Sequence, residues 1–280
     1  MTAHKMKWLV AGLLCLVMWP AITYAQQETW EGYVRAGDTA FLQGKYAEAE
    51  PLYKRALAIA EKSLWPEHPI VAQSFNNLAV VYNEQGKYAE AEPLFKRILA
   101  IWEKTLGPEH PNVALSLNNL AVFYKDQVKY AEAEPLYKRA LVIVEKALGP
   151  EHPNVAAILN SLAALYNDQG KYAKAELLFK RALAIDEKIL GPEHPYVAVI
   201  LNNLAALYSN QGKYAEAERL CKLSLAIRER VLGPEHPHVA QSLENYAELL
   251  SKTGREDEAA KMAARAKAIR AKHAKEAATK

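Results

Sequence analysis

Apolar residues recur along this chain in a helical pattern that returns many times. Within residues 71–111, Phe75, Leu78, Ala79 and Tyr82 are spaced i, i+3, i+4 and i+7, which places them on one stripe of a helix. We call this predicted element helix A. Its opposite face carries mainly amide side chains, so we expect one side of the helix in a core and the other in solvent.

A second apolar stripe follows each helix A after a short break. It contains Tyr88, Ala91, Phe95, Ile98 and Trp102, and we call this element helix B. Gly86 separates the two stripes, and glycine readily adopts the positive φ that ends a helix. The small Ala79 and Ala91 let the two backbones approach closely, so the pattern predicts an antiparallel helical hairpin.

The hairpin recurs with a period of 42 residues. Gly44, Gly86, Gly170, Gly212 and Gly254 lie one or two periods apart, and Val128 stands where the next glycine would be. Such a period is typical of a solenoid, whose units bury their apolar faces against one another. We predict an array over 26–272, with hairpins at about 29–62, 71–104, 113–146, 155–188, 197–230 and 239–272, and a basic tail over 273–280.

The run Leu78-Ala79, Tyr82, Gly86, Tyr88, Ala91, Phe95 resembles the tetratricopeptide repeat. The longer unit, with its connector from Leu106 to Pro111, is similar to the repeats of kinesin light chains. The resemblance covers about residues 29–272. It implies an all-α, right-handed superhelix of six hairpins, with a concave groove lined by the polar face of helix A.

The connectors repeat the motif Glu-His-Pro and place five histidines one repeat apart: His68, His110, His152, His194 and His236. A row of histidines suggests a metal site. Packed helices lie about 8–10 Å apart, whereas two ligands of one zinc ion each lie about 2 Å from it. We therefore expect no metal site, and attribute the connector to the end of helix B and the start of the next helix A.

Three prolines fall inside predicted helices B. Pro51, Pro93 and Pro135 occupy the register where the last three repeats carry good helix formers: Leu177, Arg219 and Lys261. We expect the position to be helical despite the cost of an internal proline.

Residues 1–25 have the layout of a secretory signal peptide. Lys5 and Lys7 precede an apolar run from Trp8 to Trp19, and a cleavage-site pattern of small residues ends at Ala25. The run has about 12 residues, fewer than the about 20 that span a bilayer. We expect cleavage after Ala25 and a periplasmic or secreted protein, with an uncleaved membrane anchor as the alternative.

Cysteine usage and charge limit the kinds of protein and partner that the sequence allows. Cleavage leaves Cys221 alone, and its register on helix B predicts a buried small side chain.

The net charge is +3, yet residues 261–280 hold seven Lys or Arg against one Glu. This segment lacks an aromatic residue for base stacking, so we expect no nucleic-acid partner. Membrane contact through it stays an alternative.

The sequence offers no catalytic grouping. It has no glycine-rich phosphate loop, no paired cysteines and no serine in a strand–turn–helix setting. We therefore expect neither enzymatic activity nor a cofactor.

The candidate binding residues lie on the face of helix A opposite its core stripe. Asparagine both donates and accepts hydrogen bonds, so a row of asparagines can hold the backbone of an extended peptide. Alternatively, those beside each core leucine bond to a neighbouring helix and join the repeats. The candidates are Asn76, Asn77, Val80, Asn83, Asn118, Asn119, Val122, Asn160, Asn202, Asn203 and Asn245.

These observations predict a monomeric, noncatalytic scaffold that binds a protein or an extended peptide segment. Capture of a C-terminal carboxylate is disfavoured, because Asn76, Asn118 and Asn160 stand where such tetratricopeptide domains carry Lys or Arg. Two alternatives stay open: a structural or self-assembling repeat protein, and an envelope adaptor held at the membrane by its basic tail or a retained leader.

Overall fold

The computed structural model describes residues 29–278, with side chains described to residue 273. Within that range it contains twelve α-helices and no strand. The leader predicted over residues 1–25 lies outside the described residues. The predicted all-α solenoid of six helical hairpins is confirmed, with odd-numbered helices as helix A and even-numbered helices as helix B.

In chain order the helices are α1 (Trp30–Leu42), α2 (Tyr46–Ser63), α3 (Pro69–Glu84), α4 (Tyr88–Leu106), α5 (Pro111–Asp126), α6 (Tyr130–Leu148), α7 (Pro153–Asp168), α8 (Tyr172–Leu190), α9 (Pro195–Asn210), α10 (Tyr214–Leu232), α11 (Pro237–Lys252) and α12 (Glu256–Ala278).

The chain divides after Ile101, within α4, into two compact units. In the first unit, α2 packs against both α1 and α3. Its core includes Ala40, Tyr53, Leu78 and Val81, all buried. This arrangement is the one that the alternating stripes predict, since each helix B has an apolar face for its own helix A and for the next one.

In the second unit, each helix from α5 to α12 packs against its neighbour in sequence. Leu117, Tyr137, Leu159 and Phe179 are fully buried and fill equivalent layers of successive hairpins. Cys221 takes the same register on α10 and is buried, as predicted. Burial raises the pKa of its thiol to about 12, so the sulfur is held as an unreactive thiol.

A histidine immediately precedes each helix A from α3 to α11. The Nδ1 atom of His110 accepts a hydrogen bond from Asn112 N at 3.1 Å, and the residues at the starts of the other four helices do the same: His68, His152, His194 and His236. A side-chain acceptor at this position satisfies a backbone N–H that the helix leaves open. The repeated histidines therefore cap helices.

Several residues singled out in the sequence have the following places and backbone conformations. Gly149 ends α6 at a φ of 89°, and Pro51, Pro93 and Pro135 lie inside helices. Val128 adopts a φ of 63°, a region that a β-branched residue enters only with strain. The predicted tail is helical as far as Ala278, because its alanines and lysines favour a helix and no Gly or Pro stops it.

Ion pairs connect successive helices B on their exposed side. Arg139 Nη2 lies 2.6 Å from Glu103 Oε1, and one repeat later Arg181 Nη2 lies 2.7 Å from Glu145 Oε1. Leu223 interrupts this series, since it takes the register of the arginines. Exposed pairs contribute about 0–1 kcal/mol each, so they support the stacking that the core provides.

Two buried tyrosines at one register differ in a way that stability measurements can detect. Tyr53 donates from its hydroxyl to Asp38 Oδ1 at 2.6 Å, whereas the buried hydroxyl of Tyr137 finds no partner within the described residues. We expect Tyr137→Phe to raise the free energy of unfolding by about 1 kcal/mol and Tyr53→Phe to lower it by a similar amount. Urea denaturation followed by circular dichroism measures both. Equal shifts of the same sign would contradict the expectation.

Candidate functional site

The candidate site is the face of each helix A that points away from the buried stripe. We call it the A surface and define it by the registers of Gln73, Asn76, Asn77, Val80 and Asn83 on α3. The same registers recur on α5, α7, α9 and α11 of the second unit. Because the chain forms two units, the A surface of each is described separately.

In the first unit, α3 presents its whole predicted set at least partly to solvent. Asn76, Asn77 and Val80 are half-buried, and Gln73 is exposed. Asn83 is half-buried, and its Oδ1 is enclosed without a partner among the described residues. This stretch is thus polar, uncharged and partly open.

In the second unit, the centre of the A surface is apolar and composed mainly of small residues. Leu115 on α5 is 60% exposed. Ala157 on α7 and Ala206 on α9 are exposed, and Val122 is half-buried. Ala157 was not among the residues predicted from the sequence, although the register of Leu115 could have identified it.

Two asparagines of this surface bind each other. Asn203 donates from Nδ2 to Asn160 Oδ1 at 2.9 Å, which joins α9 to α7. Further along the same helices, Asn210 Nδ2 lies 3.2 Å from Asn167 Oδ1. At these positions the structure shows the second of the two predicted roles, the joining of adjacent repeats.

Asn118 lacks the equivalent bond. In the repeat after Asn118, Ser161 occupies the register that Asn203 has one repeat later. Its hydroxyl donates to Ala157 O at 3.1 Å within its own helix. Asn118 Oδ1 is consequently buried without a partner among the described residues. The neighbouring Asn119 is half-buried, so the polar part of α5 is only partly covered.

The structure corrects the prediction for Asn202. This residue was expected on the open surface, yet it is only 4% exposed. Its Nδ2 donates to Ser242 Oγ at 3.0 Å, and Arg228 Nη1 reaches the same hydroxyl at 3.0 Å. The buried Arg228 and Ser242 enclose the asparagine in a polar network, whereas the preceding repeat carries Asp186 and Ile200 at these registers.

On α11, the last helix A, the A surface carries charged side chains. Asn245 is exposed as predicted, but Glu244 beside it accepts two hydrogen bonds from Arg270 on α12, each at 2.6 Å. Glu248 pairs with Lys252 at 2.7 Å. An ionic, solvated final layer is what the terminal repeat of a solenoid requires.

One lysine lies on the A surface of α5, and it is neutralised. Lys125 Nζ is 3.3 Å from Asp126 Oδ1 and 3.5 Å from Asp168 Oδ2. α7 and α9 carry no Lys or Arg at all. Over α5, α7 and α9 the surface is therefore close to neutral, and it does not provide the cations that hold a carboxylate.

Neither a cluster of metal ligands nor a membrane-spanning helix is present in the described part of the chain. Among its side chains, no three of His, Cys, Asp and Glu lie close enough to hold a metal ion. None of its helices is both long and apolar enough to cross a bilayer.

Comparison with solved structures finds related helical repeats. One is a Podosopora anserina protein described as a kinesin light chain with nearly identical TPR-like repeats. It is 33% identical to this chain, and the match covers 74% of this chain and 98% of that one, with a TM-score of 0.56. BtubC (BKLC) from P. vanneervenii is 24% identical, with 88% and 91% coverage and a TM-score of 0.59. A Rap protein in complex with Competence and Sporulation Factor is 19% identical, with 91% and 80% coverage and a TM-score of 0.63.

The last two likenesses concern the fold alone. The comparison with curated proteins gives no match. The family model described as tetratricopeptide repeat matches residues 31–98, 71–127, 114–188, 162–219 and 196–272. These overlapping matches cover nearly all of the described chain, which therefore belongs to the tetratricopeptide repeat family.

Proposed function

We propose that this protein is a noncatalytic scaffold that binds an extended segment of a partner protein on its A surface. Repeat families of this kind present stacked helices as binding surfaces. The observation that carries the proposal is the exposed apolar strip of α5, α7 and α9, bordered by asparagine amides. Leu115 at its edge is well exposed.

The chemistry of this surface suits a backbone more than a charged side chain. The strip is close to neutral, since the charge of Lys125 is balanced by two aspartates. Half-buried amides such as Asn119 and Asn160 lie beside small side chains that let a peptide approach closely. We therefore propose an internal, extended segment with small or apolar side chains as the ligand, rather than a C-terminal carboxylate.

The alternative of a membrane adaptor receives less support from the basic C-terminal helix. Three of its cations are already engaged, because Arg265 lies 2.5 Å from Glu229, Arg270 binds Glu244 and Lys272 binds Glu235. We also propose export after cleavage at Ala25. A mature N-terminus at residue 26 in protein isolated from its native source would support this, and an intact leader would contradict it.

Two matched double variants test the binding surface. Ala157→Arg with Ala206→Arg places two long cations on the A surface, whereas Ala184→Arg with Ala226→Arg places them on helices B; all four alanines are exposed. A peptide selected from a phage-displayed library against the wild-type protein serves as the probe. We expect the first pair to weaken its binding at least tenfold, about 1.4 kcal/mol, and the second to leave it unchanged.

Calorimetric titration measures the affinities, and circular dichroism shows that both variants keep their helices. Equal affinities for the two variants would contradict binding on the A surface. A failure to select any peptide from the library would count against recognition of a short extended segment.

A further inference from the structure

The described part of the second unit buries one carboxylate, and no Lys or Arg within that part pairs with it. Asp186 on α8 is 3% exposed, and its Oδ1 accepts no hydrogen bond within the described residues. An ionised carboxylate in such a place is costly unless it is paired. One repeat earlier the same register holds the apolar Val144, also buried.

The next repeat shows what this register contacts. Arg228 on α10 donates from Nη1 to His238 O at 2.8 Å and to Ser242 Oγ at 3.0 Å, both in α11. One repeat earlier these registers hold Asp186 on α8 and Tyr196 and Ile200 on α9, and the charge of His194, which caps α9, acts on Asp186. A carbonyl oxygen and an apolar side chain cannot donate a hydrogen bond, but a protonated carboxyl can donate to the carbonyl.

The helices packed against α8 supply little positive charge. α9 contains no Asp, Glu, Lys, Arg or His, and α7 contains only Asp168, at its far end. His152 caps α7 and His194 caps α9, and His194 is the group whose charge acts on Asp186. Its Nδ1 already accepts Tyr196 N–H at 3.2 Å.

On α8 itself, the nearest basic residue in sequence is engaged elsewhere. Lys188 Nζ lies 2.5 Å from Glu151 Oε2, and the adjacent Glu187 is exposed. Burial raises the pKa of Asp186 to about 6, and His194 opposes that effect. The carboxyl therefore changes its charge in a mildly acidic range.

We propose that Asp186 makes the contact between α8 and α9 sensitive to pH, closing it when the carboxyl is protonated and loosening it when the carboxyl is ionised. The neutral acid donates to a carbonyl of the first turn of α9, whereas the anion leaves Oδ1 without a hydrogen bond within the described residues. This goes beyond the proposed binding function and does not depend on it.

The direction of the effect follows from proton linkage. The pKa of Asp186 is 3.8 in its ordinary state and about 6 when folded. Its contribution to stability is therefore complete below pH 3.8 and is lost as the pH rises through about 6. The difference between these two pKa values corresponds to a change of roughly 100-fold in the unfolding equilibrium.

Three variants test the proposal: Asp186→Asn, Asp186→Val, which copies Val144, and the neighbouring Glu187→Gln as control. Urea denaturation between pH 4 and pH 8 gives the unfolding equilibrium constant of each. We expect the wild type to lose at least tenfold relative to both Asp186 variants as the pH rises, and Glu187→Gln to follow the wild type. Parallel pH profiles for all four proteins would overturn the proposal.

Amide hydrogen exchange locates the change and needs no denaturant. After correction for the intrinsic pH dependence of exchange, the first turns of α9 should exchange faster at pH 8 than at pH 5 in the wild type. In Asp186→Val this difference should vanish. A difference that persists in Asp186→Val would also overturn the proposal, because another group would then control the opening.

Discussion

Leu162→Ala should lower the free energy of unfolding by about 2–5 kcal/mol, the range found when a buried leucine is removed. Leu162 lies on α7 and is 3% exposed. Its register is occupied by Leu78, Leu120 and Leu204 in three other repeats, so these four hairpins share a large apolar side chain here. Loss of the side chain leaves a cavity that two packed helices can close only in part.

Leu177→Ala is the matched control for that change. Leu177 lies on α8 and is 70% exposed, so the same substitution should alter stability by less than about 0.5 kcal/mol. Urea unfolding measures both variants, with the data fitted to coupled repeat units because long arrays need not unfold as one. Similar losses for both leucines would show that the A-helix register has been assigned to the wrong face.

Gly37→Ala should cost about 1–3 kcal/mol, the range of an overpacked core. A Cβ at Gly37 would lie 2.6 Å from Cε1 and 2.8 Å from Cδ1 of Tyr53. The ring cannot easily move away, because it is buried and its hydroxyl is held by Asp38 at 2.6 Å. The other repeats carry alanine at this register, so the clash belongs to the first hairpin.

A double variant separates that clash from a general intolerance of change at Gly37. Gly37→Ala with Tyr53→Phe recreates the pairs of other repeats, where Ala79 accompanies Phe95 and Ala163 accompanies Phe179. Without its bond to Asp38 the ring can shift, so we expect the double variant to be less destabilised than the sum of the single changes. Thermal unfolding of the wild type, the two single variants and the double variant gives the double-mutant cycle. Strictly additive effects of the two substitutions would contradict a clash between the new Cβ and the ring of Tyr53.

The fold could be predicted from the sequence because the same hairpin pattern occurs six times. One hairpin pattern is ambiguous by itself, but recurrence of Gly86, Gly170 and Gly212 at a fixed period fixes both the turns and the stacking. The prolines inside α2, α4 and α6 were resolved in the same way, by comparison with later repeats. Repetition thus supplied evidence that a single copy lacks.

The details of the A surface could not be predicted in the same way. They depend on residues that differ between repeats, such as Ser242 and Arg228, which bury Asn202, or Ser161, which leaves Asn118 without a bond. The capping histidines also escaped prediction, because histidine at a helix start is a weaker signal than Ser, Thr, Asp or Asn. Register predicts which face a residue occupies, whereas cross-helix partners decide whether it stays open.

Site-directed photo-crosslinking in the native compartment tests most directly whether a polypeptide binds on the A surface. A benzophenone side chain would replace Leu115 on α5 or Val142 on α6, which are 60% and 63% exposed on different faces. We predict crosslinks to a partner polypeptide from position 115 and none from position 142. Crosslinking from position 142 alone, or equally from both, would contradict binding on this surface.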